Sequence, residues 1–225
     1  MDKKLLIIAT PKTASTSLLE DLISITKLDG KQEFRVKLKP EKHKVASKKY
    51  LKNVVKTFLG KNISKQGSRL RDAFPCYDYP FLRFKHSDIC DLSCFSNDDL
   101  NYNFPLAIHK QHFPPTIENI TVLKKNFNIV FIYTNPEKVV ESYKRVDINN
   151  NKSIEYPTAF KEGLLADLKR FNEGWLNEVP TKNQFQKEEI LDEPFKCINR
   201  CLYLLNCESK FVDKKHELPH KRYYR

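Results

Sequence analysis

Residues 5–19 read LLIIATPKTASTSLL, an apolar run followed at once by a polar loop and a second apolar series. Leu5, Leu6, Ile7 and Ile8 form a continuous apolar block suited to a parallel strand covered on both faces. Leu18, Leu19, Leu22 and Ile23 recur at helical spacing, which predicts a helix directly after the loop. A loop between a strand end and a helix start is an anion site, because its backbone N–H groups are unpaired and the helix dipole adds partial positive charge. Lys12, Thr13, Ser15, Thr16 and Ser17 add side-chain donors around Ala14. A basic strand-turn-helix with a solvated lysine fits these residues equally well. The loop lacks glycine and carries its lysine at the front, whereas a Walker loop needs glycines and ends on Lys-Ser/Thr, so an ordinary nucleoside triphosphatase is disfavoured.

The same plan repeats in residues 127–145, FNIVFIYTNPEKVVESYKR. Ile129 to Tyr133 read as an apolar strand, Thr134, Asn135 and Pro136 as a turn, and Pro136 is suited to start a helix. Between the two motifs lies PLAIHKQHFPP, residues 105–115, a short strand leading into a proline-rich turn. It holds His109 and His112. An imidazole with an ordinary pKa near 6.5 accepts a hydroxyl proton at neutral pH. A His pair beside a turn is more often structural than catalytic, but its place between two anion loops favours catalysis.

The order Pro11, Lys12, Thr13, Ala14, Ser15, Thr16, Ser17 closely resembles the 5′-phosphosulfate loop of the sulfotransferases, in the PKTASTS form of the heparan sulfate 2-O-sulfotransferase branch. The resemblance implies the P-loop-like sulfotransferase fold: one α/β domain, residues 1–225, with a central parallel β-sheet flanked by helices. It also implies a donor, 3′-phosphoadenosine 5′-phosphosulfate (PAPS), a product nucleotide, PAP, and no requirement for a metal. Lys12, Thr13, Ala14, Ser15, Thr16 and Ser17 would then hold the 5′-phosphosulfate. In sulfotransferases the second motif opens on Arg-Asp/Asn-Pro and carries a serine eight positions later, and both residues hold the nucleotide 3′-phosphate. Here Ser142 matches the serine, and Thr134 stands where the arginine would be. A threonine donates one hydrogen bond but lacks the bidentate charged clamp. Lys138 and Arg145, on the same predicted helix, are candidate substitutes. His112, in the sequence His-Phe-Pro, resembles the family's catalytic base, with His109 as the alternative. The C-terminal ELPHKRYYR resembles the family's late Leu-Pro-His segment, which closes over the nucleotide and here would contribute Lys221 and Arg222.

Further elements read as alternating strands and helices. EFRVKL at residues 33–38 reads as a strand, residues 46–59 as a helix, and Gln184–Leu191 as a strand. Phe160, Leu164, Leu168, Phe171 and Trp175 form a helical stripe expected to face the core. EEILDEPFKCINRCLYLL, residues 188–205, resembles the late strand-and-helix pair of sulfotransferases.

The formal charge of +12 is local: residues 35–71 hold thirteen Lys or Arg and one acid, Glu41, while the rest of the chain holds 27 of each sign. Such a patch concentrates anions and suits an anionic glycan acceptor, or else forms a solvated basic face. The aromatic-rich residues 74–104 follow it, and the two stretches together read as an acceptor-side insertion. No nucleic-acid module is legible, which disfavours nucleic acid as partner. The six cysteines lack convincing metal-ligand spacing and are expected as free thiols. The N-terminal apolar run is too short for a signal peptide or membrane span, which points to a cytoplasmic location. The reading that follows is a PAPS-dependent sulfotransferase acting on a hydroxyl acceptor, most plausibly a carbohydrate. The alternatives are a degenerate PAP/PAPS-binding protein, a nucleotide kinase-like enzyme and a basic nucleic-acid-binding protein.

Overall fold

The computed structural model describes residues 4–32, 75–76, 79–83, 92, 95–149, 158–213, 215 and 218. The expected strand at 33–38, the helix at 46–59, the basic stretch 35–71, and Lys221 and Arg222 lie outside the described residues. The elements run β1 (Lys4–Ala9), α1 (Ser15–Thr26), β2 (Gly30–Gln32), β3 (Pro75–Cys76), β4 (Tyr79–Arg83), α2 (Asn97–Asn103), β5 (Ile108–Gln111), α3 (Ile117–Asn126), β6 (Phe127–Tyr133), α4 (Pro136–Asn149), α5 (Thr158–Glu178), β7 (Gln184–Gln186), α6 (Lys187–Asp192) and α7 (Pro194–Leu204).

Five strands form a parallel sheet in the order β2-β5-β1-β6-β7. β1 is central, so its apolar block is covered on both faces, and Leu5 to Ala9 have no exposed surface. Ile8 pairs with Gln111 on β5 and with Phe131 on β6, which brings the carboxyl ends of these three strands together. β1 is also where the strand order reverses, and open α/β sheets bind ligands in the crevice at such a point. β3 and β4 form a separate antiparallel hairpin beside α5.

Period-2 alternation divides the core between the two faces. Leu6, Ile8, Ile129 and Phe131 face α2, α3 and α5, where Phe104, Leu123, Leu168, Phe171 and Trp175 complete one cluster. Leu5, Ile7, Val130 and Ile132 face α1 and α7, packing on Leu18, Leu22, Ile198 and Leu202. The predicted stripe on α5 is buried from Leu164 through Trp175, and Trp175 is wholly enclosed.

Two sequence expectations change. The strand expected over Gln184–Leu191 is three residues long and passes directly into α6. The Glu189 carboxylate accepts the Gln186 backbone N–H at 2.9 Å, a capping contact that starts a helix where alternation alone suggested a continuing strand. Residues 188–205 therefore hold two helices rather than a strand and a helix. The break falls at Glu193, because Pro194 disfavours helical geometry in the residue before it and then opens α7.

Candidate active site

The loop after β1 is held in an uncommon backbone. Lys12 and Ala14 both adopt left-handed conformations, with φ of 67° and 58°. For residues other than glycine that geometry costs roughly 1–2 kcal/mol each, and such strain concentrates at ligand-binding turns. Local bonds fix it: the Thr13 hydroxyl donates to the Thr10 carbonyl at 2.8 Å, and the Ser17 amide donates to the Ala14 carbonyl at 3.0 Å. Thr13, Ser15 and Ser17 are buried beneath the turn, whereas Lys12 and Thr16 are exposed. No side chain caps α1 at Ala14. The start of a twelve-residue helix and its dipole therefore meet the loop lysine at one surface.

β5 brings a cation that the sequence reading missed. The four residues of β5 are all buried, and alternation sends Ile108 and Lys110 toward α1 while His109 faces Phe104 on the other side. Lys110 is only 3% exposed, and its ammonium donates to the Thr16 hydroxyl at 2.9 Å. Burial lowers its pKa to about 8, with Glu20, one turn further along α1, acting in the opposite direction. A lysine inside an otherwise buried four-residue strand was the available signal, since buried lysine is rare without a role.

The two histidines part company. His109 is fully buried; its Nε2 lies 2.9 Å from the Leu106 carbonyl oxygen, and its ring meets Phe104 edge-on. His112 follows the end of β5 and is half-buried. Its Nδ1 is 2.5 Å from the Ala9 carbonyl oxygen. A carbonyl only accepts, so Nδ1 carries the proton and Nε2 keeps its lone pair. Trp175 Nε1 donates to the next carbonyl, that of Phe113, at 2.8 Å, fixing the turn that carries His112. Gly174, one residue before, lies against Pro115, and a Cβ there would come within 2.4 Å of the proline ring.

The loop after β6 is tied to the first loop by Asn172 of α5. Its side-chain oxygen accepts the Thr10 hydroxyl and its amide donates to the Thr134 carbonyl at 3.0 Å. Thr134 is buried, and its own hydroxyl has no hydrogen-bond partner. It lines a cleft of ≈ 440 Å³ shared with Tyr133, Lys138, Asn172, Gln186 and Glu188. Lys138 is bonded to Glu188 at 2.6 Å across that cleft. Ser142 lies two turns along α4 from the loop and is half-buried. The structure thus brings Lys12, Thr13, Ala14, Ser15, Thr16, Ser17 and His112 to one carboxyl edge, with Thr134 joined to it through Asn172, and sets His109 into the core. Among the described residues no group of three or more His, Cys, Asp or Glu side chains is placed to hold a metal ion. Nor is any described helix long and apolar enough to cross a membrane.

No protein-family model matches the chain, and no curated protein matches it either. Among solved structures, the sulfotransferase from Alicyclobacillus acidocaldarius is similar, with a TM-score of 0.52 at 13% identity, covering 99% of this chain and 89% of that one. The sulfotransferase domain from the curacin biosynthetic pathway aligns at a TM-score of 0.45 and 15% identity, over 100% of this chain and 83% of that domain. The first likeness shows the fold: an α/β architecture of the sulfotransferase type, with a parallel sheet flanked by helices.

Proposed function

We propose that this chain is a PAPS-dependent sulfotransferase, moving a sulfuryl group to an acceptor hydroxyl, with a loop related to the heparan sulfate 2-O-sulfotransferase branch. The observation that carries the reading is the convergence at the end of β1. A strained loop with Lys12, the buried ammonium of Lys110 on Thr16, and His112 with its Nδ1 on the Ala9 carbonyl all meet the carboxyl edge of one sheet. The set contains an anion cradle, two cations and a base, which is what in-line transfer between oxygens requires.

The residues fit the donor at both ends. The loop from Lys12 to Ser17 would hold the 5′-phosphosulfate, while Thr134, which lines the cleft, and Ser142, two turns along α4, would meet the 3′-phosphate. When bound, the donor supplies an activated sulfuryl group. His112 Nε2 takes the acceptor proton as the acceptor oxygen bonds to sulfur and the sulfur–phosphate oxygen bond breaks. Lys12, Lys110 and the loop amides stabilise the negative charge gathering on the departing phosphate oxygen. A carbohydrate is the proposed acceptor class, drawn in by the basic residues 35–71.

The test is transfer of labelled sulfuryl from PAPS to a panel of neutral and anionic glycans, with His112→Ala as control. Product that depends on His112 supports the reading, and no product on any acceptor counts against it. A second reading, binding of PAP without turnover, is favoured by Thr134 standing in the position of a phosphate-clamping arginine. PAP binding with no transfer to any acceptor would select it.

A further inference from the structure

Lys138 lies in the first turn of α4 and lines the cleft beside Thr134. Its ammonium is held 2.6 Å from a Glu188 carboxylate oxygen on α6, so the pair spans two elements that approach each other only in the fold. The two side chains are 57% and 41% exposed, and an exposed pair of this kind contributes little to stability. Thr134 lines the same cleft, and its hydroxyl is buried and has no hydrogen-bond partner. A buried hydroxyl without a partner carries a desolvation cost that an incoming polar atom relieves. The neighbouring Asn172 amide is already committed on both sides, to Thr10 and to the Thr134 carbonyl. The cleft therefore presents one cation, one unsatisfied hydroxyl and the positive end of the fourteen-residue α4.

We infer that Glu188 is a resident counter-ion of Lys138, displaced when a phosphate monoester enters the cleft, so that Lys138 and the Thr134 hydroxyl together hold the phosphate. The inference rests on the proposed donor reading, in which the nucleotide 3′-phosphate occupies this cleft. A phosphate dianion offers more charge and more acceptor oxygens than a carboxylate, so it competes well for an exposed ammonium. Glu188, already partly exposed, returns to solvent at low cost when released. Lys138 then supplies the charge that a threonine in the arginine position cannot, and Glu188 makes that charge selective. A nucleotide without a 3′-phosphate leaves the Lys138–Glu188 pair intact.

Calorimetry of the full chain with PAP and with AMP, for the wild type, Glu188→Gln, Lys138→Met and the double variant, tests this. Both positions are exposed, and unchanged melting temperatures would verify that the variants fold. Glu188→Gln should tighten PAP binding by about two- to fivefold, the factor an exposed ion pair carries. Lys138→Met should weaken it by about tenfold or more, and in that background Glu188→Gln should have no effect. AMP affinity should not change in any variant. PAP binding to the wild type with no gain, or a loss, in Glu188→Gln overturns the inference and leaves the donor reading standing. Failure of PAP to bind any variant overturns both.

Discussion

The Thr10 hydroxyl donates to Asn172 Oδ1 at 2.5 Å, and through the same side chain the end of β1 is bound to the end of β6. Both partners are buried, so water does not substitute for the bond. One turn of α5 thus sets the spacing of the loops after β1 and β6 through Asn172 and the position of His112 through Trp175. Asn172→Ala should cost about 1–3 kcal/mol of stability, the usual penalty for stranding buried polar partners. It should also reduce the affinity advantage of PAP over AMP, because a ligand gripped at both ends depends most on loops already spaced to receive it. Calorimetry on the variant checks both effects. An unchanged PAP-to-AMP ratio would make Asn172 a purely structural residue.

Lys110 gives the pH dependence a sign. Its pKa is lowered to about 8 by burial, so the folded protein releases this proton more readily than the unfolded chain, where the lysine titrates near 10.5. Between these values the unfolded chain binds more protons, and the group makes stability rise with pH. Catalysis should move the other way: if the Lys110 ammonium stabilises departing charge, turnover should fall as pH rises through about 8. Lys110→Met should lower turnover by roughly a hundredfold and remove the alkaline limb of the rate profile. A retained alkaline limb would assign that titration to another group.

The histidines should respond differently to substitution. His112→Ala should lose about a hundredfold to ten-thousandfold in turnover, the usual contribution of a general base, with PAP affinity nearly intact. His109→Ala should instead lower the melting temperature, since its ring is enclosed against Phe104 and bonded to Leu106. Turnover, PAP affinity and melting temperature across pH 5 to 9 separate the two. A dead but normally stable His109→Ala beside an active His112→Ala would reverse the roles.

Thr134→Val should have opposite effects on the free and bound protein. It removes a buried hydroxyl that has no partner, so the free protein should keep its stability or gain about 1 kcal/mol. PAP should bind less tightly, because the unpartnered hydroxyl of a residue lining the cleft is gone. Thermal melts with and without PAP read both signs, and a variant that binds PAP as well as wild type would take Thr134 out of the site.

The central strands and the loops that follow β1 and β6 are legible in the sequence because their signals are local. Leu5 to Ile8 and Ile129 to Tyr133 are apolar blocks of strand length, and the Leu164 to Trp175 stripe keeps a helical period. The residues that join the site are not local in this sense. Lys110 looks like one more surface lysine until β5 is paired between β2 and β1 and its face turns toward α1. Asn172 sits on a polar step of an amphipathic helix and gains meaning only when two loops from distant parts of the chain converge on it. Lys138 is a candidate phosphate ligand in the sequence, but its pairing with Glu188, on a helix fifty residues later, is made only by the fold. Residues 184–191 read as one strand because a short run of this kind fits a strand as well as a helix, and the Gln186–Glu189 cap decides between them.

Thermal stabilisation by PAP without added metal, set against magnesium-ATP, tests the central claim most directly. A nucleotide that binds only the folded state stabilises it by about 2.7 kcal/mol at a hundredfold excess over its dissociation constant. The strained loop at Lys12 and Ala14, the Lys110–Thr16 contact and the cleft at Thr134 predict that PAP raises the melting temperature in chelator-treated buffer and that magnesium-ATP raises it less. Stabilisation by magnesium-ATP with none by PAP would contradict the sulfotransferase reading and favour a kinase-like enzyme on the same fold.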